Sequence, residues 1–276
     1  MKEAIKKLPT GSPNAHRKNM IKLLEQNSRR HHMWEVFSDF VEMGALAMSN
    51  SIDLAQYAER EARYMQIIGR YEPDEQKRFP QILGELVCAL EYGPDDVMGR
   101  LFGQLEQGNS ERGQFFTPYS VCQAMAQMNV GDGEDILRRI DERGFVTVSE
   151  PACGAGALVI AMASAMQAKS INYQQHLHVT AIDIDSRAVH MAYLQFSLLH
   201  IPAVIILGNA LNMEERQHWY TPAHFMGLWQ QKLRRGFAMG SALDKRLVDP
   251  ASDRHLKPGQ LIKAPTDIQL ELFATA

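Results

Sequence analysis

An α/β core preceded by a helical region is the fold class this sequence predicts, and two observations carry the prediction. From about Asn19 to Gln107, apolar residues recur near a helical period. After Gly108 the pattern becomes strand, helix, strand, helix, strand: Val146 to Glu150, Ala157 to Ala168, His178 to Asp183, Arg187 to Leu199, Ala203 to Leu207. That alternation implies a parallel sheet with right-handed crossovers.

The elements follow in order. Met1 to Arg17 is polar and basic, and residues 1–18 are expected to be a flexible N-terminus. The helical region spans 19–110. Trp34, Phe37, Val41, Met43, Ala45, Leu46 and Met48 mark a buried helix face, and Ser51 or Asp53 caps a further helix through Tyr71. Phe79 to Leu90 is another apolar helix. Gly93-Pro-Asp-Asp96 turns the chain into a helix carrying Val97, Leu101, Phe102 and Leu105. The α/β unit spans 111–235. Its end reads as one helix, with Thr221 as cap, Pro222 at the first position, then Phe225, Leu228, Trp229 and Leu233. Met213 to His218 is not strand-like, so three strands are expected and the sheet is short. Residues 236–276 read as a weakly structured tail.

Composition narrows the function classes. The 276 residues are 45% hydrophobic and 22% charged, ordinary for a globular protein. The net charge of -3 gives no global basic character, though a local basic face can still meet DNA. Cys88, Cys122 and Cys153 form no Cys-x-x-Cys pair, so neither a zinc site nor a disulfide framework is indicated. Met1 to Arg17 contains no secretory signal and no apolar stretch reaches membrane-spanning length, which reads as cytoplasmic.

The chemistry concentrates at the strand ends. Glu150-Pro-Ala-Cys-Gly-Ala-Gly156 joins the first strand to its helix, and Gly154 and Gly156 let the backbone approach a ligand closely. The helix that follows presents free N–H groups. Asp183 ends the second strand, where a carboxylate can accept both hydroxyls of a ribose, and Asn209 follows the third, placed to meet an adenine ring. The run lacks a full G-x-G-x-x-G, which disfavours a nicotinamide dinucleotide.

These motifs resemble those of adenine-N6 DNA methyltransferases, closest to the modification subunits of type I restriction systems. Glu-Pro-Ala-Cys-Gly-Ala-Gly is similar to their S-adenosylmethionine loop. Gly113-Gln-Phe-Phe-Thr-Pro118 resembles the segment over the methionine end of the cofactor. Asp95 to Phe102 resembles the helix before that segment, and Ala181-Ile-Asp-Ile-Asp185 the ribose motif. The resemblance covers about Asp95 to Ala210 and implies a Rossmann-like methyltransferase core with a truncated sheet. It implies S-adenosylmethionine as cofactor, held by Phe116, Thr117, Pro118, Glu150, Ala152, Gly154, Gly156, Asp183 and Asn209. The family more often has Asp at the last position; Asn keeps a carbonyl acceptor and loses a charge.

The family's Asn-Pro-Pro-Tyr or Asn-Pro-Pro-Phe tetrapeptide, which polarises and stacks on the flipped target base, is absent from the sequence. Tyr220 and His224 are the candidates to take over that work. In the family's strand order the missing fourth strand lies beside the first, which leaves Val146 to Glu150 as an apolar edge. The helical region, the helix after Tyr220 or a partner subunit is expected to cover it. Three functions compete: adenine-N6 methylation of DNA, a catalytically silent accessory protein that binds cofactor or DNA, or methylation of another substrate such as RNA or protein.

Partners are expected at two places. Gln269-Leu-Glu-Leu-Phe273 resembles the pentapeptide by which bacterial proteins bind the DNA polymerase sliding clamp, with Gln269, Leu270, Leu272 and Phe273 as its contacts. The basic residues of the N-terminus, and Lys232, Arg234 and Arg235, can meet DNA phosphates. No segment of a size to read bases is apparent, so a loose sequence preference or a separate specificity subunit is expected, with a homodimer as the other partner reading.

Overall fold

The computed structural model describes residues 11–106 and 117–248. Phe116 and the clamp-like residues Gln269, Leu270, Leu272 and Phe273 lie outside them. Helices α1 (Pro13–Asn27), α2 (Met33–Asn50), α3 (Tyr57–Ile68), α4 (Pro73–Gln76), α5 (Arg78–Leu90) and α6 (Val97–Glu106) build the N-terminal region. Helix α1 starts inside the stretch expected to be flexible. The reason is local: Ser12 accepts the Ala15 N–H at 3.2 Å, Pro13 occupies the first turn, and Met20 and Leu24 are fully buried. Asp53 caps nothing; its carboxylate takes the Arg60 guanidinium at 3.0 Å.

Helices α7 (Tyr119–Val130) and α8 (Glu134–Arg143) stand where no element was expected. Helix α8 had a readable signature in its acidic first turn, basic last turn and left-handed Gly144 stop. Then come β1 (Val146–Glu150), α9 (Ala157–Ala168), α10 (Tyr173–His176), β2 (Leu177–Asp183), α11 (Ser186–Leu198), β3 (Ala203–Asn209) and β4 (Glu214–Tyr220). The sheet order is β1-β2-β3-β4. The first three strands are parallel, in the registers Val146↔Leu177 and Val179↔Ala203. Helix α11 packs between the sheet and α2, and α9 packs on α7.

Strand β4 corrects the reading of Met213 to His218. It runs antiparallel to β3, with Val204 opposite Tyr220 and a bulge at Leu207/Gly208. Its first four residues are exposed, so no inward-outward alternation marks it in the sequence. Trp219 anchors it. That ring is buried, the Arg60 guanidinium lies 4.2 Å from its centroid, and Arg60 donates to the His218 carbonyl at 3.1 Å. The helical region thus stitches down an otherwise polar edge strand, whose charges also suit it to face water.

The end of the α/β unit is two helices, α12 (Pro222–Met226) and α13 (Trp229–Arg235), where one was expected. Leu228 breaks them at φ 52, and a Cβ on Gly227 would sit 2.5 Å from the Trp229 indole nitrogen. The break lets Trp229 turn inward, 1% exposed, onto Phe145. Thr221 precedes Pro222 as expected, but its hydroxyl donates to the Ile201 carbonyl at 2.8 Å instead of capping. The tail also begins folded. Ala238 donates to the Arg143 carbonyl at 2.7 Å, and α14 (Ala242–Val248) packs on α8.

The apolar first strand is flanked chiefly by α8, with Trp229 of α13 at its start; of the expected covers, the helix after Tyr220 therefore contributes one side chain. Among the described residues no strand pairs with the outer edge of β1. No described helix is long and apolar enough to cross a membrane.

Candidate functional site

The carboxyl ends of β1, β2 and β3 bring Glu150, the glycine loop, Asp183 and Asn209 to one end of the sheet. The loop is tied to β2 by its own backbone: Cys153 donates to the Ile182 carbonyl at 2.9 Å, and Gly154 donates to Asp183 Oδ2 at 2.8 Å. Asp183 Oδ1 accepts the Asp185 N–H at 2.9 Å. Each carboxylate oxygen keeps a lone pair, so Asp183 is held in place and can still accept from a ligand. Gly154 and Gly156 have φ 53 and 92. A Cβ on Gly156 would lie 2.4 Å from the Phe196 ring, so this glycine also lets the loop sit down on α11.

Burial pushes the Glu150 carboxyl above its ordinary pKa, and the nearby Asp183 charge adds to that; the Ala152 N–H, 3.3 Å from Glu150 Oε1, opposes it. A buried carboxyl beside the loop can receive an amino group. The Cys153 thiol is also pushed well up by burial and is no nucleophile. Asn209 Oδ1 accepts the Leu211 N–H at 3.0 Å. The carbonyl that Asn shares with Asp is thus partly used in a turn, and its amide is left to donate. Thr117 and Pro118 are described and exposed.

Sequence reasoning missed two groups. Ile184 is 59% exposed immediately after Asp183, an apolar side chain standing free where a flat ring can pack on it. Its signal was an aliphatic residue between two acids at a strand end. Gln195, fully buried, is the second. Its Nε2 donates to the loop carbonyl of Ala155 at 2.9 Å and to Asp96 Oδ1 at 3.1 Å, while its Oε1 accepts the Met98 N–H at 2.9 Å. Asp96 in turn caps α6 through the Gly99 N–H at 2.9 Å, and burial pushes its pKa up. Gln195 is a positioning residue that locks the loop to α6. Replacing it by Leu strands three buried partners and is expected to cost about 3 kcal/mol of stability in urea unfolding. A loss below about 0.5 kcal/mol would show that the hub is dispensable.

Tyr220 and His224 do not join this site. Tyr220 pairs with Val204 near the start of β3, and His224 Nδ1 lies 3.0 Å from His178 Nε2 near the start of β2. The strand from His178 to Asp183 separates them from the loop by roughly 16 Å. Their position follows from β4: an antiparallel strand carries Tyr220 back to the opposite end of the sheet.

The segment that supplies these strand ends can be compared with known proteins. Residues 95–229 match the N-6 DNA Methylase family. This matched segment, similar to the methylases, opens at the Asp95-Asp96 cap of α6, contains the whole sheet and ends at Trp229. The resemblance read from the sequence is borne out by it. No curated protein matches the chain.

Three solved structures are similar at low identity. One, from Listeria monocytogenes, is described as a class I S-adenosylmethionine-dependent methyltransferase (13% identity, TM-score 0.40, covering 83% of this chain and 72% of that one). Another is the methyltransferase subunit of a type I restriction-modification system from Streptococcus thermophilus (12% identity, TM-score 0.37, covering 71% of this chain and 58% of that one). The third is DrdV in a complex with DNA (15% identity, TM-score 0.35, covering 81% of this chain and 25% of that one). The chain therefore spans well under two thirds of the second structure's length and a quarter of the third's.

Proposed function

We propose that the matched segment binds S-adenosylmethionine at the ends of β1, β2 and β3 and serves methyl transfer to the N6 amino group of adenine in DNA. The single observation that carries this is the Asp183 carboxylate. Two backbone N–H groups, one of them from the glycine loop, fix it at the carboxyl end of β2, and each of its oxygens keeps a lone pair able to accept. The residues fit the cofactor. Asp183 would hold the ribose, Ile184 would pack on the adenine, the Asn209 amide would donate to that ring, and Glu150 would receive the cofactor's amino group. Thr117 and Pro118 would lie at its methionine end.

When bound, the cofactor supplies an electrophilic methyl group. DNA as the substrate rests on the family match and on local basic clusters, with phosphate contacts from Lys232, Arg234 and Arg235 as part of the reading.

A second reading, an accessory protein that binds the cofactor without transferring the methyl group, is favoured by the position of Tyr220 and His224 far from the loop. Calorimetric titration of the chain with S-adenosylmethionine, followed by tritiated-methyl transfer to unmodified DNA, separates the cases. Binding with transfer supports the enzyme. Binding without transfer supports the accessory protein, and absence of binding overturns both.

A further inference from the structure

The end of the sheet opposite the glycine loop carries a groove of about 920 Å³ whose apolar lining the proposed function does not use, although Lys232 and Arg235 on its rim are among the phosphate contacts of that reading. Helices α12, α13 and α14 and the turn after Arg235 form its walls. Its apolar lining stands in solvent: Met226 is 71%, Leu228 59% and Met239 80% exposed. Exposed apolar surface of this kind, rimmed by charge, marks an interaction site. The rim is basic, with Lys232, Arg235 and Lys245 against the single carboxylate of Asp141. Lys232 has its ammonium 4.2 Å from the Trp229 ring centroid, and burial lowers its pKa, so its charge sits close against the apolar wall.

The occupant is suggested by the chain itself. Helix α14 forms one wall, and the described residues end with it at Val248. The eighteen residues 249–266 reach roughly 60 Å when extended, far more than the groove requires. From Ala264 onward the sequence holds two acids, Asp267 and Glu271, and no base. Between and beside those acids stand Ile268, Leu270, Leu272 and Phe273. An acidic peptide with regularly spaced apolar anchors complements a basic-rimmed apolar groove in both charge and hydropathy. Tethering also makes its effective concentration high, so few contacts suffice.

We propose that residues 267–273 seat in this groove of the same chain, burying Leu272 and Phe273 against Met226, Leu228 and Met239 while Asp267 and Glu271 meet the basic rim. The seated peptide is then hidden from any outside protein that recognises the same side chains. The groove regulates access to the tail, and this holds whether or not the other end of the sheet binds a cofactor.

Hydrogen exchange on the full chain tests the proposal. In the double variant Leu272→Asp, Phe273→Asp, backbone amides of 222–242 are expected to exchange about tenfold faster than in the parent chain, because the cover is lost. Identical exchange overturns the proposal. A second measurement holds even if that variant folds poorly. Phe273→p-benzoylphenylalanine in the full chain is expected to photo-crosslink within one chain to Met226, Leu228 or Met239. Crosslinks confined to other sites, to a second copy or to added DNA overturn it. Charge reversal at the rim, Arg235→Glu with Lys245→Glu, is expected to reduce the crosslink yield several-fold, and an unchanged yield counts against the electrostatic match.

Discussion

Replacing Asp183 with Ala is expected to weaken S-adenosylmethionine binding about a hundredfold while the fold survives. The size follows from the chemistry: hydrogen bonds to a charged acceptor contribute about 1.5–3 kcal/mol each, and two ribose hydroxyls would lose theirs together. The fold survives because Asp183 is half-buried, so water can replace it on the Gly154 and Asp185 N–H groups it now holds. Asp183→Asn gives an intermediate case. It keeps one carbonyl acceptor and drops the charge, and a loss of about tenfold is expected. Calorimetric titration of both variants, with circular dichroism to confirm folding, provides the measurement. Parent-like affinity in Asp183→Ala would remove the ribose assignment and with it the reading of the glycine loop.

Acidification is expected to destabilise the protein well before its surface carboxylates are neutralised. Burial lowers the pKa of His190 to about 4, and does the same for His224; His178, buried beside His224 and Lys232, falls to about 3. All three are held neutral in the fold, whereas in the unfolded chain each titrates near 6.5. The unfolded state therefore binds protons that the fold refuses. This stability is fully present above about pH 6.5 and is lost as pH falls toward 4. For one histidine shifted from 6.5 to about 4, the loss by pH 4 is about 3 kcal/mol.

The buried carboxyls of Asp96 and Glu150 act in the opposite sense, because burial raises their pKa and the fold takes up their protons more readily. A single histidine substitution isolates the histidine share. His190 meets the Trp219 ring edge-on at 4.9 Å, and Phe can keep that contact without titrating. Urea unfolding of His190→Phe between pH 7 and 4 should show a flatter profile than the parent by about 3 kcal/mol. Parallel profiles would rule out His190 as a source of the acid sensitivity.

Most of the α/β core was legible because burial writes a period into the chain. Strand β1 and helix α9 have the limits read from sequence, and β2, α11 and β3 differ by one or two residues at their ends. The glycine loop was legible because only local backbone geometry is needed to turn there. What escaped has a common cause. Strand β4 is exposed along most of its length and is held by Arg60 on Trp219, a contact across 159 positions of sequence that leaves no local pattern. The break at Leu228 depends on where Trp229 finds its pocket beside Phe145. Gln195 looks like any polar residue on an apolar helix until the fold brings Ala155, Asp96 and Met98 around it.

The sequence by itself determined the strand-loop-helix order and placed Glu150, Gly154, Asp183 and Asn209 at the strand ends, because those features depend on neighbours a few residues away. Only the tertiary structure decided that Tyr220 and His224 belong to the opposite end of the sheet, that Gln195 locks the loop, and that a basic-rimmed groove opens where the described chain ends. Those outcomes depend on strand direction and on hydrogen bonds between distant segments, and neither carries a signature along the chain.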